Sequence, residues 1–136
     1  ATKVASVDAT APSSYDPIND PKSSVYGKRS VYFDFDKYSI KPEYQSVITA
    51  HADYLKANKD KKANILVQGN TDERGGREYN LALGQKRSEA VRKALGLLGV
   101  SDGQLEAVSF GKEKPAVPGN DEAAYAKNRR VEFNYR

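Results

Sequence analysis

Apolar residues recur along the chain with two periods, one typical of strands and one typical of helices. Strict alternation of apolar and polar residues marks 31–36 near the start and 130–135 at the end. Apolar residues at helical spacing lie on both sides of the Gly-rich stretch 69–76. The predicted order is β-α-β-α-β-α-β, with strands over 31–36, 65–67, 105–110 and 130–135 and helices over 42–58, 78–98 and 121–127.

An alternating order of strands and helices by itself suggests a doubly wound parallel sheet. The first and last strands argue against that arrangement, because parallel strands covered on both faces are continuously apolar and these two alternate. We therefore predict an α+β fold. It is a two-layer α/β sandwich in which helices lie on one face of a mixed four-stranded sheet, and the other face is largely solvated.

The first 28 residues differ in character from the rest of the chain. They contain three of the six prolines, and their apolar residues show no period. Such a segment cannot bury enough surface to offset its ordering entropy, so we predict a disordered tether over 1–28. The alternative is an extended arm that packs on the domain. Residues 29–136 are enough for one domain with one core.

Composition narrows the available chemistry. The absence of Cys excludes disulfides, thiolate metal sites and a thiol nucleophile. The single His, His51, removes the usual zinc and triad chemistries, and its place on the apolar face of the first helix predicts a hydrogen-bonded core residue. No apolar run approaches the roughly 20 residues that span a bilayer. The absence of Met, even at position 1, indicates a processed leader or an internal start.

The net charge of +4 arises from 22 basic and 18 acidic residues. Nine tyrosines could stack on bases, but acidic residues interleave with the basic ones, so no basic stripe forms. We therefore expect no nucleic-acid partner.

Polar residues at strand ends are candidates for chemistry. Asp34 and Asp36 close the first strand with both carboxylates on one side, although a solvated strand end is the alternative explanation. Residues 69–76 form a Gly-rich loop between a strand and a helix, where backbone N–H groups and the helix N-terminus favour anions. Gly-rich loops are common, so this pattern alone does not define a site.

Arg87 lies within the apolar stripe of the second helix. With Leu83 at zero on a helical wheel, Arg87 falls at about 40°, between Leu83 and Val91. A guanidinium there either extends to the rim of the stripe or requires a carboxylate partner, from the protein or from a ligand. Asp72, at the mouth of the preceding loop, is the expected partner.

One enzyme family fits part of this pattern. The motif Asp34-x-Asp36 after a strand, with Thr71 after the next, is similar to haloacid-dehalogenase phosphatases, in which the first Asp attacks phosphorus and magnesium bridges the carboxylates. The later acidic motif is at best Asp121-Glu122, and the strands have one apolar face. We therefore expect a binding protein and not an enzyme, with no metal or cofactor.

Several strings together resemble OmpA-like peptidoglycan-binding domains. They are VYFDFDKY over 31–38, GNTDERG over 69–75 with the spaced residues of 79–91, FGKEKP over 110–115, DEAAY over 121–125 and KNRRVE over 127–132. The match spans about 30–135, essentially the whole predicted domain. The last strings look most like one branch, the peptidoglycan-associated lipoproteins (Pal) of the Tol-Pal system. A domain from a porin or flagellar stator of the same family is the alternative.

The resemblance implies an OmpA-like fold and non-covalent binding of peptidoglycan through the diaminopimelate residue of its stem peptide. Carried over by position, Asp72 would bind the side-chain ammonium of that residue and Arg87 its carboxylate. The pocket would also be lined by Asp36, Thr71, Arg74 and Leu83, with Asp34 as a weaker candidate. A zwitterionic ligand requires one fixed anion and one fixed cation, which agrees with the pair identified above.

The resemblance also implies a location and partners. Family members of this branch carry an acylated N-terminal Cys, which this chain lacks. The tether would then lead to a lipid anchor in the outer membrane of a Gram-negative bacterium, with the domain at its periplasmic face. TolB would be a protein partner.

Overall fold

Residues 15–136 are described by a computed structural model, in which helices and strands follow the predicted order. The elements are β1 (Ser30–Tyr32), α1 (Gln45–Ala57), β2 (Ile65–Asn70), α2 (Arg77–Leu97), β3 (Leu105–Gly111), α3 (Glu122–Asn128) and β4 (Arg130–Tyr135). The sheet order is β1-β4-β2-β3, with β2 and β3 parallel and β4 antiparallel to β1 and β2. The predicted α+β fold with a mixed four-stranded sheet is confirmed. None of the helices within 15–136 is long and apolar enough to cross a membrane.

The main core lies between α1, α2 and one face of the sheet. Alternate residues of β2 and β4, among them Ile65, Val67 and Phe133, point to that face, where they pack with Leu55 and Leu95 of the helices. All five side chains are fully buried. Burial of one such side chain contributes roughly 1.5–3 kcal/mol, so this layer is the main source of stability.

The opposite face of the sheet is less solvated than the sequence predicted. Leu66, Val108 and Phe110 form a second buried apolar cluster. Charged side chains also lie on this face: Lys114 over the Phe110 ring, and the ion pairs Arg130–Glu132 and Arg136–Glu106. Long basic side chains can bury apolar surface with their stems while the charge stays near water, and an alternating pattern does not reveal this.

Two glycines allow α2 to approach the sheet closely. A Cβ on Gly69 of β2 would lie 1.8 Å from the carbonyl oxygen of Gly84 in α2, and a Cβ on Gly84 would lie 2.3 Å from Ser109 Oγ. The contact lies just before β2 ends and the loop 71–76 begins. It therefore holds Arg87, about one helical turn further along α2, close to that loop.

Residues 15–28 are not a disordered tether, contrary to the sequence prediction. Ile18 and Val25 are buried in the main core, and the backbone N–H of Gly27 donates to the carbonyl of Ile18, which closes the segment into a loop. The prediction failed because two apolar residues seven positions apart, among Pro and Ser, form no periodic pattern. Residues 1–14 of the predicted tether lie outside the described residues.

His51 joins this N-terminal segment to the core, and its predicted role as a hydrogen-bonded core residue is confirmed. Its ring stacks on Phe133 at 3.9 Å between centroids, with Nε2 2.6 Å from the carbonyl oxygen of Lys28 and Nδ1 2.7 Å from the hydroxyl of Tyr135. Burial lowers the pKa of His51 to about 4. The ring is therefore neutral at pH 7. Since a carbonyl only accepts, Nε2 donates to Lys28 and Nδ1 accepts from Tyr135.

Candidate functional site

The chain leaves the sheet earlier than the alternating pattern predicted, because β1 ends at Tyr32. Phe33 is still buried, whereas Phe35, which the pattern placed on the same apolar face, is 55% exposed. Asp36 has a left-handed backbone, with φ 58°, and Asp is one of the few side chains that adopt it readily. This turn brings Phe35 and Asp36 to a pocket beside the loop 71–76.

The pocket encloses about 160 Å³ between this turn, the loop 71–76 and the first half of α2. All six main site residues predicted from the sequence line it: Asp36, Thr71, Asp72, Arg74, Leu83 and Arg87. Phe35, Gly75, Tyr79 and Asn80 complete the lining. Residues up to 52 positions apart in sequence, Phe35 and Arg87, therefore meet in one small cavity with two acidic and two basic side chains.

The Asp72 carboxylate is almost fully buried and is bound by Arg74. Oδ1 accepts from the backbone N–H of Arg74 at 3.0 Å and from its Nε at 3.2 Å, while Oδ2 accepts from Nη2 at 2.8 Å. Arg129 Nη1 lies 3.7 Å from Oδ2. Burial acts to raise the pKa of Asp72, but the hydrogen bonds and charge of Arg74, together with the charge of Arg129, hold it below its ordinary value. Asp72 is a fixed anion.

The guanidinium of Arg74 is stacked between two aromatic rings. Its guanidinium carbon lies 4.1 Å from the ring centroid of Phe35 and 4.3 Å from that of Tyr125. A planar guanidinium stacks well on aromatic faces. The side chain is 36% exposed, and its Nη1 donates no hydrogen bond to any residue within 15–136. Arg74 therefore presents one open donor group to the pocket.

Arg87 is only 1% exposed and does not pair with Asp72, which corrects the sequence prediction. Its three guanidinium nitrogens donate instead to backbone carbonyls, of Lys37 at 2.8 Å, Asn70 at 3.0 Å and Asp34 at 3.1 Å. Burial lowers the pKa of Arg87 to about 10, with partial compensation from the carboxylates of Asp72 and Asp36, so the side chain stays charged at pH 7. Arg87 thus connects α2, the end of β2 and the turn after β1.

The two aspartates of the turn have different surroundings. Asp36 accepts a hydrogen bond from the hydroxyl of Tyr79, and no basic side chain of the described residues lies within ion-pair distance of it. Asp34 does not line the pocket, since its carboxylate pairs with Lys41 at 3.3 Å on the outer side of the turn. The structure therefore places the weaker candidate Asp34 outside the pocket, with only its carbonyl near the site.

Sequence reasoning missed several residues that support the pocket. Asn80 Nδ2 donates to the carbonyls of Arg74 and Gly76 at 2.9 and 3.0 Å, which ties the loop to α2. Arg129 donates through Nε to the carbonyl of Phe33 at 2.9 Å and through Nη2 to Glu122 at 2.9 Å. Neither residue interrupts a periodic pattern, so their presence in the resembling strings was the available signal.

A larger groove, of about 720 Å³, lies between residues 15–24 and the end of α1. Its basic residues are Lys22, Lys61, Lys62 and Arg136. Its acidic residue, Asp20, accepts a hydrogen bond from the hydroxyl of Tyr15 at 2.7 Å. This basic groove contains none of the predicted site residues and does not combine fixed opposite charges in a small cavity, so the smaller pocket is the better candidate.

Comparison with known proteins gives a consistent result. The model of the OmpA family matches residues 32–129. The peptidoglycan-associated lipoprotein of Pasteurella multocida is 55% identical over 106 residues, which cover 78% of this chain and 69% of the relative. The protein of the same name from Haemophilus influenzae is 47% identical in an alignment that covers 99% of this chain and 94% of the relative. Neither name describes a catalytic activity.

A solved structure agrees with the fold described above. The crystal structure of the peptidoglycan-associated lipoprotein from Burkholderia pseudomallei superposes with a TM-score of 0.82 at 61% sequence identity. The superposition covers 89% of this chain and all of that chain. The residues that match the OmpA family model, 32–129, include every residue that lines the pocket.

Proposed function

The chain belongs to the OmpA family, and from this premise we propose that it binds peptidoglycan non-covalently through the diaminopimelate residue of the stem peptide. Relatives that are 47–55% identical over the aligned residues are named for their association with peptidoglycan. The observation that supports the proposal most strongly is the small pocket in which two carboxylates and two guanidinium groups lie side by side.

The side chain of diaminopimelate ends in a carbon that bears both an ammonium and a carboxylate. A buried site for such a zwitterion needs an anion and a cation that are already held in place, since each ligand charge loses water on entry. Asp72 is held by Arg74, and Arg87 by three carbonyls, so neither has to be ordered when the ligand binds. Leu83 adds an apolar surface for the methylene groups of the ligand.

The names of the relatives support a wider cellular role, which is part of the same proposal. A chain similar to peptidoglycan-associated lipoproteins would link the outer membrane to the cell wall as part of the Tol-Pal system. The domain would lie at the periplasmic face of the outer membrane, held by a lipid anchor on the N-terminal side of residue 15. TolB would bind it as a protein partner.

Co-sedimentation with purified sacculi from a Gram-negative bacterium tests the binding. We expect the protein to pellet with sacculi and to be released by a soluble stem peptide that ends in diaminopimelate. Arg74→Ala should stay in the supernatant because Asp72 loses its main partner and the pocket loses a cation. Arg92→Ala removes the same charge from the far part of α2, where Arg92 pairs with Glu89 at 2.6 Å, and should pellet normally. Wild-type protein that fails to pellet would contradict the proposal.

A further inference from the structure

The two basic side chains of the pocket differ in their freedom to move. Arg87 is fully buried and donates to three carbonyls, so a ligand cannot displace it without breaking the contacts between α2, β2 and the turn after β1. Arg74 is one-third exposed, and among residues 15–136 its side chain hydrogen-bonds to Asp72 and stacks on two aromatic rings. Arg74 is therefore the cation of the pocket that a ligand can displace with the smaller loss of protein contacts.

The carboxylate of Asp72 is already occupied. Two side-chain N–H groups and the backbone N–H of Arg74 approach its oxygens, and Asp72 is almost fully buried. A ligand ammonium that binds this carboxylate must therefore compete with the guanidinium of Arg74 for the same two oxygens. In the structure, Arg74 thus fills the position that the ammonium of a ligand would take.

We propose that Arg74 is the specificity-determining residue of the pocket, because a ligand ammonium displaces its guanidinium from Asp72 and a ligand carboxylate then receives it. This inference rests on the proposed function and states how the pocket distinguishes diaminopimelate from lysine. A lysine side chain brings an ammonium alone, so the displaced guanidinium is left without an anion. Diaminopimelate supplies both charges: its ammonium pairs with Asp72, and its carboxylate pairs with the displaced Arg74.

Two features of the structure make the exchange feasible. Stacking between Phe35 and Tyr125 imposes no direction within the plane of the guanidinium, so Arg74 can slide between the rings without losing that contact. Arg129 Nη1 is buried, has no hydrogen-bond partner among residues 15–136 and lies 3.7 Å from Asp72 Oδ2. Arg129 therefore keeps Asp72 ionised while Arg74 moves away.

Glu122 also acts on the charge of Arg74, but it does not line the pocket and already pairs with Arg129 at 2.9 Å. Asp36 is the carboxylate of the pocket lining, besides Asp72, that a displaced Arg74 could meet. It lies at the rim of the pocket, exposed to solvent, and accepts from the Tyr79 hydroxyl. A pair formed there is screened by water and contributes little. It cannot replace the buried contact with Asp72, so the discrimination against lysine remains.

Isothermal titration of two stem tripeptides, one ending in meso-diaminopimelate and one in lysine, tests the inference. We expect wild-type protein to prefer the diaminopimelate peptide by about tenfold or more, the usual effect of a charged hydrogen bond. In Arg74→Gln the affinity for that peptide should fall by about tenfold, while the affinity for the lysine peptide is unchanged or higher. Arg92→Gln is the matched control and should behave as wild type.

A parallel loss for both peptides, with the preference kept, would show that Arg74 merely orients Asp72 and would overturn the inference. A wild-type protein that binds neither peptide, or binds both equally, would instead contradict the proposed function itself. The ¹⁵Nε resonance of Arg74 gives a second measurement. It should shift when the diaminopimelate peptide saturates the protein, because its hydrogen bond to Asp72 is lost, and an unchanged resonance would also overturn the inference.

Discussion

Replacement of Arg87 by Leu tests whether Arg87 stabilises the fold or serves only to bind the ligand. On the sequence alone, Leu suits both the helix and the apolar stripe, so a residue kept only for ligand binding could be replaced almost without effect on stability. The structure predicts otherwise. Arg87→Leu leaves the carbonyls of Asp34, Lys37 and Asn70 without their donors.

The size of the effect follows from those three contacts. A buried acceptor that loses its partner costs about 1–3 kcal/mol. Part of this cost is recovered because the variant no longer buries a guanidinium and because Leu packs against its apolar neighbours. The carbonyls of the turn after β1 can also turn towards water. We therefore expect Arg87→Leu to lower the free energy of unfolding by about 3–5 kcal/mol and the melting temperature by roughly 10–20 °C.

Urea and thermal unfolding followed by circular dichroism measure this difference. Lys93→Leu is the control, because it also replaces one positive charge by Leu, at an exposed position of α2. That variant should melt close to wild type. Arg87→Lys keeps the charge but has a single nitrogen for three acceptors, so its stability should be intermediate. An Arg87→Leu protein that melts within about 3 °C of wild type would refute the structural role assigned to Arg87.

Three further predictions follow from the packing. The pKa of His51 is lowered from 6.5 to about 4 in the folded protein. The neutral ring therefore contributes about 3 kcal/mol to stability above pH 6.5, and this contribution is lost as the pH falls towards 4. Urea unfolding across this range should show a steeper pH dependence in wild type than in His51→Gln. Deletion of residues 1–28 removes the buried side chains of Ile18 and Val25 and should lower the free energy of unfolding by about 3–6 kcal/mol relative to a chain that lacks only 1–14. Equal melting temperatures of the two chains would show that residues 15–28 do not pack on the domain. Gly84→Ala should cost about 1–3 kcal/mol because its Cβ meets Ser109 Oγ, whereas Gly96→Ala, on an open part of the same helix, should be neutral or slightly stabilising.

The order of strands and helices could be predicted from the sequence because periodicity reports directly which face of an element is buried. The same signal failed where a backbone turn changed the direction of the chain. Phe35 continues the alternation of Val31 and Phe33 in sequence, but the left-handed turn at Asp36 follows the end of β1 and leaves the Phe35 ring at the pocket. Most Asp residues do not have a left-handed backbone, so the presence of Asp36 in the sequence does not predict this turn.

The sequence predicted six of the residues that line the candidate pocket, but not the contacts among them. The resemblance to OmpA-like domains selected Asp72, Arg74 and Arg87, and all three line one pocket. A helical wheel shows that Arg87 faces inward, but it cannot show that its guanidinium donates to backbone carbonyls of two other segments. For the same reason the pairing of Asp72 with Arg74 became visible only with the loop in three dimensions.

A titration followed by ¹H–¹⁵N correlation spectra tests the central claim most directly, since it reports both whether the ligand binds and where. The ligand is the stem tripeptide that ends in meso-diaminopimelate. Binding in the pocket should give saturable shifts centred on the amides of 35–36, 71–75 and 83–87, with the amides of the basic groove at 15–24 and 58–64 unchanged. Shifts centred on that groove, or no shifts at any peptide concentration, would contradict it.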